Sequence, residues 1–319
     1  MKDITCVGEI LIDLTQTGVS KAGVPQFDAN PGGAPANVAV AAARLGAKTA
    51  FVGKVGSDGF GRYLRQVLRD NGVEDTCLME DTRPTTMAIV SVDGAGEREF
   101  RFARGADCEL SPDEFGEDDV CQSKFLHFGS VSLTRGIARN ATIFAARAAR
   151  RASVLVSYDP NYRPALWTGE EEAVEWMRIP LPLVDVMKLA EEELPLLTGV
   201  RDLEEGTRLL EEQGVRLIMV TLGGNGVFCR WQGQTWHQPG IPVKVADTNG
   251  AGDTFLGAVL SRLCRREKRP LEGLERAELK DILAFANRAA AFTCSRSGAI
   301  PAMPALKELF DEKGVPLLP

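Results

Sequence analysis

Short apolar or β-branched runs recur along the chain at residues 4–7, 49–52, 125–128, 154–158, 184–188 and 217–221, each about one strand long. Continuous runs of this kind are buried on both faces, as in a parallel sheet. Between them lie helical patterns at 36–45, 58–71 and 203–213, closed by Gly46, Gly72 and Gly214, and an alanine-rich stretch at 137–151. Glycine just past the last apolar position is a helix stop. Alternating strands and helices predict an α/β layered sheet, whose ligands sit beyond the carboxyl ends of the strands. Asp13, Asp159, Lys188 and Thr221 fall at or just past such ends, so the pattern nominates one rim.

One segment breaks the alternation. Residues 85–92 and 97–104 have period two around a glycine-bearing turn at 93–96, which predicts a β-hairpin. The polar, glycine-containing stretch 15–28 offers further strands beside it. The chain is thus read as one α/β domain over 1–319 with a small lid inserted from about 14–30 and 85–106. A flap of this kind excludes water from a reaction in which water competes as acceptor.

Residues 241–245 read as a further short strand, and 254–264 carry apolar Phe255, Leu256, Val259, Leu260 and Leu263 at helical spacing. The stretch Asp247-Thr248-Asn249-Gly250-Ala251-Gly252-Asp253 therefore lies at a strand-to-helix junction. There the unpaired amides of the first turn and the positive end of the helix dipole face any nearby anion. Asp253 sits among those amides, placed to accept a proton from a hydroxyl while they hold a phosphoryl group. Taken alone, a stretch of this kind is usually a helix cap or turn. Upstream, Pro31-Gly32-Gly33-Ala34-Pro35-Ala36-Asn37 puts two glycines before a helix with proline at its entry, which suits close approach to a ligand. Thr221-Leu222-Gly223-Gly224-Asn225-Gly226 follows a strand and suits a phosphate or ribose contact, though a glycine-rich β-turn explains it too. No phosphate-loop motif occurs, and no dinucleotide fingerprint with a downstream ribose acid supports a dehydrogenase.

Composition narrows the partners. A net charge of −7 gives no domain-wide basic field for nucleic acid, and the arginines at 147–151 and 262–269 fall near predicted helix C-termini, where the dipole favours them. Seven scattered cysteines without a Cys-x-x-Cys pair read as reduced, mostly structural thiols. No window approaches the roughly 18 apolar residues of a membrane span, so a cytoplasmic protein with no membrane partner is expected. The two histidines, His127 and His237, lack partners at ligand spacing, which argues against a histidine metal site.

Gly32-Gly33-Ala34-Pro35-Ala36-Asn37-Val38-Ala39, with Leu45-Gly46 and Gly53 to Gly61, resembles the N-terminal signature of the ribokinase-like (PfkB) carbohydrate kinases. The segment from Asp247 to Asp253 is similar to their C-terminal signature, and the likeness spans nearly the whole chain, including Asp159-Pro160-Asn161-Tyr162-Arg163 and Gly298-Ala299-Ile300-Pro301. Gly8 to Asp13 and His127 to Ser130 look most like the bacterial and plant fructokinases.

The resemblance implies a three-layer fold with a mainly parallel central sheet and a β-sheet lid, and ATP-dependent phosphorylation of a small sugar's primary hydroxyl, fructose to fructose 6-phosphate. It implies Asp253 as base, Gly250, Ala251 and Gly252 as anion hole, and Arg163 at the phosphate or sugar. Asp13, Gly32, Gly33 and Asn37 would hold the sugar; Lys188, Glu193, Thr221, Gly223, Gly226 and Asn287 would line the ATP and Mg²⁺ side, Glu193 reaching Mg²⁺ through water. Asp247, Asn249 and Gly298 would frame a monovalent-cation (K⁺) site, largely through backbone carbonyls. Lid strands of such kinases often pair between subunits, so a homodimer is expected, and light scattering showing only monomer would contradict it. Two features depart from the family pattern. Ala190 stands where an Asn-x-x-Glu motif has its Asn, and the lid segment 100–107 is short, with Ala103 at a usual aromatic. Arg101 or Arg104 could then meet an acidic sugar, which keeps 2-keto-3-deoxygluconate kinase as an alternative beside other ketose or nucleoside kinases and a catalytically idle sugar-binding regulator.

Overall fold

The computed structural model describes residues 1–92 and 98–310. Its strands are β1 (Lys2–Val7), β2 (Leu11–Val19), β3 (Pro25–Gly32), β4 (Thr49–Gly56), β5 (Val73–Asp81), β6 (Met87–Val92), β7 (Arg98–Ala103), β8 (Ser123–Gly129), β9 (Leu155–Asp159), β10 (Val186–Ala190), β11 (Leu217–Thr221), β12 (Gly226–Trp231) and β13 (Gln234–Pro239). The helices are α1 (Ala34–Arg44), α2 (Gly59–Asp70), α3 (Glu117–Cys121), α4 (Ile137–Arg151), α5 (Glu170–Arg178), α6 (Glu193–Thr198), α7 (Leu203–Glu212), α8 (Ala251–Cys264), α9 (Arg276–Cys294) and α10 (Leu306–Leu309).

Nine strands form the central sheet in the order β13-β12-β11-β10-β9-β8-β1-β4-β5, and pairing is parallel from β11 to β5. All six apolar runs read from the sequence are in it. Their inward residues separate two cores: α1, α2, α8 and α9 pack one face around Phe51, Phe125 and Phe255, and α4, α5, α6 and α7 pack the other around Phe128, Tyr158 and Leu189. This is the expected three-layer ribokinase-like architecture. The antiparallel edge β12-β13 was not read from the sequence. It turns through Gln232 and Gly233, both at positive φ (52° and 72°), the conformation of a two-residue hairpin turn.

The expected strand at 241–245 does not form. Strand β13 is the sheet's edge, and the chain leaves it at Gly240; Ala246 and Asp247 then donate their amides to the Cys294 carbonyl at the end of α9. A strand needs a ladder, and none of the described strands pairs with this segment.

A separate four-stranded sheet, ordered β3-β2-β6-β7, forms the lid. Its β2–β6 pair is parallel and its outer pairs antiparallel. Main-chain pairing starts at Leu11 with Gly32, so the lid strands reach closer to the central sheet than the polar stretch suggested. The expected turn at 93–96, with Glu97, lies outside the described residues. No helix among the described residues is long and apolar enough to cross a membrane.

Candidate active site

The first turn of α8 is the centre of the site. Gly250 caps the helix at φ 74°, a left-handed conformation costly for residues with a Cβ. It turns the chain so that the amides of Ala251, Gly252 and Asp253 open the helix toward the rim. Helices α1 and α8 approach closely at Gly257, where a Cβ would lie 2.8 Å from that of Ala41. That approach sets buried Asn37 against buried Asp253: Asn37 Nδ2 donates to Asp253 Oδ2 at 2.8 Å. From the loop after β9, Asn161 Nδ2 donates to the other oxygen at 3.3 Å. Burial, then the charge of Asp159, pushes the Asp253 carboxyl up from 3.8 to about 6, against Lys188, Asn37 and Arg163, which favour its ionised form.

Two cavities meet at this turn. One, of about 510 Å³, lies between the lid and the central sheet and is lined by Asp13, Gly33, Asn37, Asn161, Arg163 and Asp253, among others. Asp13 stands on the central lid strand β2, and Gly32 lies against it so closely that a Cβ would fall 2.1 Å from Asp13 Oδ2. Burial pushes Asp13 up to about 6, with Arg163 lowering and Asp253 raising it. The Arg163 guanidinium donates to its neighbour's carbonyl, Tyr162 O, at 3.1 Å. Glu9 also lines the cavity; burial raises it to about 7, and Oε1 accepts from Ala34 N at the start of α1.

The two lid arginines are placed elsewhere. Strand alternation turns Phe102 into the cavity and leaves Arg101 exposed on the other face of β7. Arg104 is buried with Asp107 in an ion pair of 2.5 Å, both side chains 2% exposed, and it also donates to Thr134 Oγ1. Neither is among the described residues that line this cavity.

The second cavity, of about 730 Å³, opens from α8 toward β11 and α9. Thr221, Gly223, Gly226 and Asn287 line it with Ala251 and Gly252. Asn287 also braces its wall, donating to Pro239 O at 2.8 Å. An apolar slot of Ile241, Pro242, Val243 and Val245 faces Ala290 and Ala291. Lys188 also lines this second cavity. Its ammonium is 3.0 Å from Asp159 Oδ2, and a Cβ on Gly252 would fall 2.8 Å from Nζ, so glycine there leaves room for the cation. Burial opposes the Lys188 charge, but Asp159, Glu193 and Asp253 outweigh it and raise its proton affinity.

Glu193 is not among the described residues lining that cavity. Its oxygens accept from Tyr162 N (2.6 Å) and Ala190 N (2.7 Å), tying the loops after β9 and β10 together. The neighbouring Glu191 and Glu192 line the cavity instead. Asp247, Asn249 and Gly298 do converge: Asp247 accepts from Asn249 N at 3.1 Å and Gly298 N at 3.0 Å. No cluster of three or more acidic, histidine or cysteine side chains fit for a metal occurs among the described residues.

Sequence reasoning had not assigned Asn161, Glu9 or Phe102 to the site. Phe102 was legible from the period-two pattern, whose inward parity alone was unknown. Asn161 has φ 45°, and asparagine after a proline is the residue type that accepts it, but its contact spans 92 positions.

Residues 1–306 match the model of the pfkB family carbohydrate kinases. The chain is 40% identical over 314 residues to fructokinase-1 of Zea mays and 41% over 313 residues to fructokinase-2 of Solanum lycopersicum, covering 96% of this chain and 96% and 94% of those proteins. Among solved structures, fructokinase with bound ATP from Xylella fastidiosa aligns at TM-score 0.87 and 32% identity, over 96% of both chains. Fructokinase from Vibrio cholerae O395, in its fructose-, ADP- and calcium-bound form, aligns at 0.84 and 32%, over 95% of this chain and 96% of that one. Two cavities meeting at an α8 turn that carries a buried carboxylate, on a chain that the family model matches over residues 1–306, make this protein a member of the pfkB family of carbohydrate kinases.

Proposed function

We propose that this ATP-dependent sugar kinase is a fructokinase, converting fructose to fructose 6-phosphate. The observation that carries the reading is the Asp253 carboxylate, held by two donated amides where the lid cavity meets the second cavity. The sugar occupies the lid cavity, with Asp13 and Asn37 toward its hydroxyls, and ATP occupies the second, its base in the apolar slot. Asp253 takes the proton as the hydroxyl O–H bond breaks. A new O–P bond forms on the γ-phosphorus while its bond to the β-phosphate oxygen breaks, leaving ADP. The amides of the Gly250–Gly252 turn receive the developing charge, with Lys188 beneath Gly252 and Arg163 across the cavity. A positioned base contributes about 10² to 10⁴ in rate and one oxyanion donor about 10² to 10³.

The donor set suits a magnesium ion carried on the nucleotide phosphates with water, since Glu191 and Glu192 line the cavity but form no cage. When bound, Mg²⁺ neutralises the β- and γ-oxygens. Asp247, Asn249 and Gly298, drawn together by the Asp247 carboxylate, are where a monovalent cation would sit to steady Gly250.

Fructose is favoured by the fructokinase relatives at about 40% identity and by the fructose-bound neighbour. The acidic-sugar alternative rested on Arg101 and Arg104, and Arg104 is committed to Asp107. A coupled ADP-release assay across fructose, 2-keto-3-deoxygluconate, ribose, tagatose and adenosine tests the choice. The highest kcat/KM is expected with fructose. A higher value for any other acceptor overturns that assignment, and turnover with none of them would favour an idle sugar binder.

A further inference from the structure

Asn161 holds one oxygen of Asp253, and the loop that carries it is fixed more firmly than a side chain on a surface turn requires. Its backbone sits at φ 45°, left-handed for a non-glycine residue, a conformation that persists only where surroundings impose it. Two buried carboxylates do so. Asp159 Oδ1 accepts from Asn161 N at 3.2 Å, while Asp159 Oδ2 takes the Lys188 ammonium at 3.0 Å. One residue further, Glu193 Oε1 accepts from Tyr162 N at 2.6 Å. With Asn37 Nδ2 on Oδ2 from α1, the two amides clamp Asp253 from opposite chain segments and remove its freedom to rotate.

Resting on the reading of Asp253 as the base, we propose that Asn161 is a positioning residue for phosphoryl transfer. Its amide, aimed by the Asp159–Lys188 pair, sets the Asp253 carboxylate in its reactive orientation and favours its ionised form. A hydrogen bond donated to a carboxylate stabilises the charge, so removing it raises the pH at which the base becomes protonated. The charged groups facing Asp253 are Asp13 on β2, Asp159 on β9, Lys188 on β10 and Arg163 after β9, and none of them changes in the variants below.

Asn161→Gly is the informative variant, because glycine accepts φ 45° and deletes only the amide. The measurements are the single-turnover rate of transfer from ATP to fructose across pH 5–9, KM for both substrates, and thermal melting. Expected for Asn161→Gly are a rate about tenfold lower at neutral pH, an acidic limb moved upward by roughly one pH unit, an unchanged KM for ATP, and a Tm near wild type. Asn161→Asp keeps the shape and the tolerance for this backbone but sets a second carboxylate against Asp253, so its acidic limb should move further upward. Rates and limbs within twofold of wild type in Asn161→Gly would overturn the proposal. A raised KM for fructose with an unmoved limb would also overturn it, since a direct sugar contact would then explain the residue. Asp253→Asn, run in parallel, separates the two readings: an active Asp253→Asn overturns the base assignment itself, whereas an inactive one beside a wild-type-like Asn161→Gly overturns only the positioning role.

Discussion

Replacing Asp253 by Asn removes a proton acceptor while keeping shape, and the structure sets both the catalytic and the folding consequence. The amide cannot take the hydroxyl proton, so turnover should fall by about 10² to 10⁴ while ATP binding survives in the second cavity. Stability should move with pH. The folded-state rise from 3.8 to about 6 means that ionised Asp253 opposes folding. That opposition is absent below about pH 3.8, where both states are protonated, grows as pH rises, and is complete above about pH 6. At 1.36 kcal/mol per pH unit its upper bound is about 3 kcal/mol. The Asp253→Asn variant escapes this cost, but its new NH₂ group must face Asn37 Nδ2 or Asn161 Nδ2, both donors, which costs about 1–3 kcal/mol at any pH. Relative to wild type, the variant should therefore gain stability as pH rises, melting below it at pH 4.5 and level with it or above at pH 8. Coupled ADP release with fructose, calorimetric ATP titration and melting at both pH values measure all three. Near-wild-type turnover would refute the base assignment, and a stability difference independent of pH would refute the account of the buried charge.

Three further outcomes follow from the same geometry. Asp13 and Asp253 both sit near 6, and the Asp253 charge raises Asp13, so the acidic limb of kcat/KM should be steeper than one proton; Asp13→Asn should make it single and raise KM for fructose about tenfold or more with KM for ATP unchanged. Gly252→Ala puts a methyl 2.8 Å from a Lys188 ammonium pinned to Asp159, and should lower turnover by about 10² to 10³ in the ADP-release assay while fructose binding persists. Arg104→Met leaves Asp107 buried without its partner; urea unfolding should show a loss of about 3–5 kcal/mol, and an unchanged midpoint would contradict the buried-pair reading.

Local pattern carried far in this chain. The six apolar runs are strands of the parallel sheet because burial on both faces writes itself as an unbroken hydrophobic run. The edge β12-β13 escaped because its turn is Gln232-Gly233 rather than a familiar asparagine or aspartate pair, and 241–245 misled because apolar residues that line a cavity look like a strand. Asp253, Asn37, Asp13 and the glycines of the α8 turn were legible as types at spacings. Glu193 was legible as a residue but not as a brace, since backbone amides on two separate loops take its oxygens.

By itself, then, the sequence determined the layered α/β class, the helix that opens on a glycine turn, and the carboxylate in its first turn, all of which depend on neighbours within a few positions. Only the tertiary structure decided that Asn37 and Asn161, 216 and 92 positions away, grip that carboxylate. It also decided that Lys188 lies beneath Gly252 and that Arg104 turns away from the cavity to Asp107. The reason is physical: periodicity and turn chemistry are fixed by local sterics, whereas hydrogen bonds and ion pairs between distant segments exist only after packing has removed water and chosen which side chains share a buried space.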